Sequence, residues 1–165
     1  MVSAESHLFC GQCYQCKRGQ SHVCTNERIL GISHDGCFAE FVKVPARILW
    51  KTDVKKIRPE VAVLQEPFGN AVHVAAQAPI KGATVAIFGL GPIGMFDVLI
   101  ARGLGAKKII GVDPSPTARA MAKKLGIDEV LDVAPADPAK PHLHDQAVAD
   151  RILKLTGGIG ADVSL

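Results

Sequence analysis

The sequence predicts an α/β chain whose second half is a doubly wound parallel sheet and whose first half carries a cysteine-rich lobe. Three observations predict it. Four of the five cysteines fall between Cys10 and Cys24. A glycine-rich turn, GLGPIG at 89–94, stands between an apolar run and a helical pattern. From that run onward, short β-rich runs alternate with helical stretches in the order βαβαβαβ. Helices long enough to cross over call for parallel strands with helices on both faces. The 165 residues leave room for one ordinary domain or two small ones, and the change of pattern divides the chain into 1–80 and 81–165.

Along the first part, Met1-Val2-Ser3-Ala4 reads as a strand already under way. The cysteines follow as C-x2-C-x2-C-x7-C at Cys10, Cys13, Cys16 and Cys24. Disulfides are disfavoured between thiols three residues apart in a chain with an odd cysteine count and no sign of secretion. A redox pair needs two cysteines, not four. Haem attachment would want His where Lys17 stands, and a ferredoxin run closes with a shorter gap and a proline. Zinc fits best. Four thiolates complete a tetrahedral shell, and short gaps let backbone N–H groups point at the sulfurs. With no open position, such an ion is structural rather than catalytic.

Next, GCFAEFVKV (36–44) alternates as a half-buried strand after a turn at His34-Asp35-Gly36, and Pro45 ends it. Cys37 within it reads as a small buried side chain. A helix opens at Pro59, a good first helical residue. It is expected to break near Pro67-Phe68-Gly69 and to resume through Val72 and Ala75. Glu66 reads from the residues alone as a solvated carboxylate at a helix end, and His73 as a satisfied core histidine.

In the second part, ATVAIF (83–88) is a buried-type strand and MFDVLIARGLGA (95–106) has helical spacing. KKIIGVD (107–113) is a second strand, PTARAMAKKLG (116–126) an amphipathic helix and EVLDV (129–133) a third strand. A loop rich in proline and alanine, with His142 and His144, leads to a helix at about 146–156. The Gly157-Gly158 turn leads to a last strand near 160–165. The turn between the first strand and helix satisfies the dinucleotide fingerprint, because Asp113 follows Gly94 by nineteen residues at the end of the next strand. Gly89 allows the tight turn, Gly91 lets the backbone approach a pyrophosphate, and Gly94 lets helix pack close to strand. Pro92 and Ile93 open the helix, whose free N–H groups and dipole favour phosphate. Asp113 would accept hydrogen bonds from the ribose hydroxyls and repel a 2′-phosphate, which favours NAD.

Composition agrees. The chain is 48% hydrophobic and 21% charged, as in a soluble globular protein. A net charge of +3 with scattered lysines and arginines argues against nucleic-acid and membrane-surface partners. The apolar window from Ala83 to Ala101 is long enough to span a bilayer, but Gly89, Gly91, Pro92 and Gly94 divide it. Ser3, Glu5 and Ser6 leave no secretory leader legible, so a cytoplasmic setting is expected. Both ends read as strands cut short, as in the middle of a longer protein.

A four-cysteine loop followed by a dinucleotide-binding half resembles the zinc-dependent medium-chain alcohol dehydrogenase family, over nearly the whole chain apart from 134–145. The resemblance implies that 1–80 is part of a GroES-like catalytic domain with a structural zinc lobe and connecting helix. It likewise implies that 81–165 is part of an NAD-binding Rossmann domain. Cys10, Cys13, Cys16 and Cys24 then match the structural zinc ligands, and Gly89, Gly91, Gly94 and Asp113 the NAD site. Glu66 falls where the family places an acidic residue close to a catalytic zinc. Arg119 stands one step beyond the family's usual basic position, which here is Ala118, and is the candidate for an adenosine contact. The remaining catalytic zinc ligands are expected from a segment before the cysteine loop. The activity implied is NAD-dependent oxidation of a small-molecule alcohol or amino-acid substrate by a homotetramer or homodimer. Polyols and general secondary alcohols are alternatives, as is a chain that binds zinc or nucleotide without turnover.

Overall fold

A computed structural model describes residues 1–133 and 146–165, as two units, Met1–Glu66 and Pro67–Leu165. In the first, strand β1 (Val2–Ala4) pairs antiparallel with β4 (Leu49–Lys51), Val2 opposite Lys51. Strand β2 (His7–Leu8) pairs antiparallel with β3 (Arg28–Ile29), His7 opposite Ile29. Between them the chain makes the cysteine loop, with one short helix, α1 (Tyr14–Lys17).

Residues 36–44 form no strand, contrary to their alternation. Phe38 and Phe41 stand exposed, and so does Cys37 rather than being buried. A strand persists only when a neighbour takes its N–H and C=O groups, and among the described residues no segment pairs with this one.

Helix α2 (Pro59–Ala62) starts at its proline as expected. The break comes at Val63-Leu64, earlier than expected, and helix α3 (Gln65–Ala75) runs straight through Pro67, Phe68 and Gly69. Pro67 is the third residue of α3, where backbone N–H groups have no intrahelical partner in any case, so its missing donor costs nothing. Phe68 meets Phe96 edge-on, with ring centroids 5.3 Å apart. Ala71 and Ala75 take the buried side of α3, which leaves His73 exposed and not in the core.

The second unit is built on β5 (Thr84–Phe88), β6 (Lys108–Val112), β7 (Glu129–Leu131) and β8 (Val163–Ser164). All pair parallel, in the order β7-β6-β5-β8. The helices between them are α4 (Pro92–Gly103), α5 (Pro116–Lys124) and α6 (Gln146–Leu155). Strand residues alternate between two cores, as a sheet covered on both faces requires. Val85, Ile87 and Ile109 pack with Val98, Ala101 and Ala122 of α4 and α5. Ala86, Ile110 and Leu131 pack with Val148 and Ile152 of α6. The fold is therefore α/β and doubly wound. The 134–145 loop, with His142 and His144, lies outside the described residues. Strand order reverses at β5, and ligands of such sheets bind outside the strands' carboxyl ends at that point. The GLGPIG turn stands there.

Candidate metal centre and cofactor turn

The four clustered cysteines come together in space. Their Sγ atoms all lie within 4.8 Å of one another, Cys24 is buried, and none is in a disulfide. The Cys13 and Cys24 sulfurs are 3.8 Å apart, and thiolates about 2.3 Å from a shared tetrahedral zinc stand about 3.8 Å apart. The loop turns its backbone inward. The N–H groups of Gln12 and Cys13 donate to Cys10 Sγ at 3.4 and 3.3 Å, and those of Cys10 and Asn26 to Cys24 Sγ at 3.3 and 3.4 Å.

These donors stabilise thiolate. Backbone N–H groups of Cys16 and Thr25 bring the Cys13 thiol down to about 5, and those of Gln12 and Cys13 lower Cys10. Cys16 goes the other way, up to about 12, through burial and its hydrogen bond with Cys13. The cage accepts the first negative charges and resists further ones, which is the condition a divalent cation relieves. The donor set and spacing fit zinc.

At the glycine turn, Gly89 adopts φ +95°, a conformation open to glycine at no steric cost. A Cβ on Gly94 would sit 1.9 Å from the carbonyl oxygen of Gly89, so no other residue fits while the turn keeps its shape. Above Gly91 there is open space. Gly91 caps α4, Pro92 is its first residue, and the Met95 N–H bonds Gly91 O at 2.9 Å. The N–H groups of Ile93 and Gly94 precede that bond and so have no intrahelical acceptor.

Asp113, at the end of β6, accepts from the Leu90 N–H and the Ser115 N–H at 2.7 Å each, through different carboxylate oxygens. This ties the end of β6 to the glycine turn and holds the carboxylate at its mouth. Each oxygen keeps acceptor capacity for a hydroxyl. Arg119, in α5, folds back to donate to the Asp113 backbone carbonyl at 2.6 Å.

Glu66 opens α3 and is half-buried, not the solvated carboxylate its position suggested. Ser6 Oγ donates to its Oε1 at 2.8 Å. Glu5, His7 and Glu66 each offer a ligand atom within 4.8 Å of the others. The sequence reading missed Glu5 and His7. They meet across a bend at Ser6, between the end of β1 and the start of β2, and no spacing in the sequence signals that bend. Within the first unit the thiol cage and the Glu66 group are two distinct clusters.

Two family models match the chain: the alcohol dehydrogenase GroES-like domain over residues 1–55 and the zinc-binding dehydrogenase domain over 92–165. The chain is 44% identical to the L-threonine 3-dehydrogenase of Pyrococcus furiosus over 99% of its length. It is 40% identical to that of Bacillus subtilis over 98%. This chain belongs to the zinc-dependent medium-chain alcohol dehydrogenase family. It spans 44% of the length of both relatives. Among solved structures, the alcohol dehydrogenase of Thermus sp. ATN1 superposes with a TM-score of 0.83 at 26% identity, covering 99% of this chain and 46% of that one. A zinc-binding dehydrogenase of Sinorhizobium meliloti 1021 bound to NADP does so at 0.80 and 30%, covering 99% and 45%. The second of these solved structures thus holds NADP. No helix among the described residues is long and apolar enough to cross a membrane.

Proposed function

We propose that the chain supplies the structural zinc lobe and the adenosine half of the cofactor site of a zinc- and NAD-dependent dehydrogenase. Its substrate is L-threonine, oxidised at the secondary alcohol to 2-amino-3-oxobutanoate. The observation that carries the substrate is the 44% and 40% identity with two L-threonine 3-dehydrogenases along nearly the whole chain; the segments VSAESHLFCGQCYQCKRGQSHVC at 2–24 and QEPFGNAVH at 65–73 resemble such enzymes.

In this reading Cys10, Cys13, Cys16 and Cys24 hold one zinc in a closed shell and take no part in turnover. The glycine turn, from Gly89 through Gly91, Pro92 and Ile93 to Gly94, receives the pyrophosphate. Asp113 receives the ribose diol, and its negative charge selects NAD over NADP. Arg119 closes over the adenosine side. A catalytic zinc, when bound, polarises the alcohol oxygen and lowers its pKa; Glu66 is the residue of this chain beside it, with its other ligands supplied by the rest of the protein. The whole protein works as a homotetramer or homodimer in the cytoplasm, on a small molecule, without nucleic acid or membrane.

The test is steady-state kinetics of the full-length protein with NAD, against threonine, sorbitol and simple secondary alcohols. Threonine is expected to give the highest kcat/KM. A polyol preferred over threonine would move the protein to the polyol branch of the family. The 165-residue chain alone is expected to bind zinc and to reduce no NAD; zinc-dependent NAD reduction by it would overturn the division of labour proposed.

A further inference from the structure

The segment Glu5-Ser6-His7 carries more organisation than a loop beside a strand needs. Glu5 Oε1 accepts from the His7 backbone N–H at 3.2 Å and lies 2.8 Å from His7 Nδ1. Ser6 Oγ stands 3.2 Å from the same Nδ1 and 2.8 Å from Glu66 Oε1. The pairing of β2 with β3 fixes the His7 backbone, and the next residue, Leu8, is buried.

Counting protons settles the state of the ring. Ionised Glu5 can only accept. Ser6 has one proton, and its shortest contact, at 2.8 Å, commits that proton to Glu66. Towards Nδ1, Ser6 can then only accept as well. Both neighbours therefore require a proton on Nδ1, and in the neutral ring the lone pair falls on Nε2. Among the described residues Nε2 makes no hydrogen bond. Ser6 and Glu5 address the same nitrogen, so the three do not form a nucleophile–base–carboxylate relay, in which the two partners would sit on opposite ring nitrogens.

We propose that Glu5 is a positioning residue: its carboxylate holds the His7 ring by Nδ1 and turns Nε2 out as the atom that meets the substrate beside Glu66. This rests on the reading of Glu66 as the residue next to the reacting alcohol. Glu5 does not touch substrate. It acts through His7, whose tautomer and orientation it selects, as second partners of functional imidazoles commonly do.

The tautomer can be read without turnover, by long-range 1H–15N correlation spectra of the zinc-loaded, 15N-labelled chain above the titration of His7. The proposal expects a protonated Nδ1 and an unprotonated Nε2. The reverse pattern in the unaltered chain overturns it. Glu5→Ala is expected to release the ring to the Nε2–H form or a mixture, whereas Ser6→Ala, which leaves Glu5 in place, keeps Nδ1–H. A tautomer unmoved by Glu5→Ala, or lost equally in Ser6→Ala, also overturns it. In the full-length protein Glu5→Ala is expected to lower kcat about tenfold or more, with the KM for the alcohol within about threefold. Unchanged kcat overturns the positioning role. An unaltered full-length protein that oxidises no alcohol breaks the functional reading instead, and is told apart because the tautomer is measured independently.

Discussion

The two units of this chain reach stability by different means. In Pro67–Leu165 a four-stranded parallel sheet is covered on both faces, and Val85, Ile87, Ile109, Ile110 and Val98 are almost completely buried. In Met1–Glu66 the described strands have two or three residues each, and the buried apolar residues are Leu8, Cys24, Ile48 and Ala62. Phe38, Phe41 and Trp50 of that unit stand exposed. A small lobe without enough apolar surface to bury needs a staple, and the four thiols provide the place for one. The second unit carries its own folding energy in the sheet, while the first, on the proposed reading, would draw it from a zinc ion.

Chelation is the most severe test of that contrast. Removing zinc is expected to abolish amide protection around the cysteine loop, since apparent binding energies of structural zinc reach about 10–16 kcal/mol and couple to folding. Amides of β5 and β6 should stay protected. Hydrogen exchange with and without chelator reads both, and metal analysis should return one zinc per chain before treatment. Equal loss in both units would abolish the distinction.

Ile109→Ala attacks the other side. It removes a fully buried side chain from the sheet and is expected to cost about 2–5 kcal/mol, measured by denaturant unfolding, with zinc content unchanged. Gly94→Ala sharpens the link from packing to function. Its methyl group would collide with the Gly89 carbonyl, so a cost of about 1–3 kcal/mol is expected. Nucleotide affinity should fall with it, as read by calorimetry on the full-length protein.

The smallest expected effect is at Asp97 of α4, which is 5% exposed and has a carboxyl oxygen with no hydrogen-bond partner among the described residues. Burial raises its pKa. The charged form is therefore disfavoured in the folded state. Stability from this group is fully present below the unfolded carboxyl value, about 3.9, and is lost as pH rises through the higher folded value. Asp97→Ala is expected to stabilise the second unit by about 1 kcal/mol at neutral pH and to flatten that dependence in thermal melts taken across pH.

Features carried by neighbours in sequence were legible beforehand. The thiol spacing implied a cage with inward N–H groups, and GLGPIG between a strand and a helix implied a turn that excludes a Cβ at Gly94. The parallel sheet followed from alternating runs. Expectations failed where local pattern met its surroundings. The alternation of 36–44 could not show that no described neighbour pairs with it. Pro67 looked like a break until its place in the first turn of α3 was known, and His73 looked buried until Ala71 and Ala75 claimed that side. The contact of Ser6 with Glu66 joins residues 60 positions apart, and no local spacing encodes it.

The sequence by itself determined the chemistry of the two conspicuous motifs, because ligand type, ligand spacing and backbone freedom are properties of a short peptide. Tertiary structure alone decided which groups share a space: Asp113 with the Leu90 N–H at the turn, and Glu5, His7 and Glu66 in one cluster. Such meetings depend on strand register, helix start and burial, which are set by the whole set of packed elements rather than by any one of them.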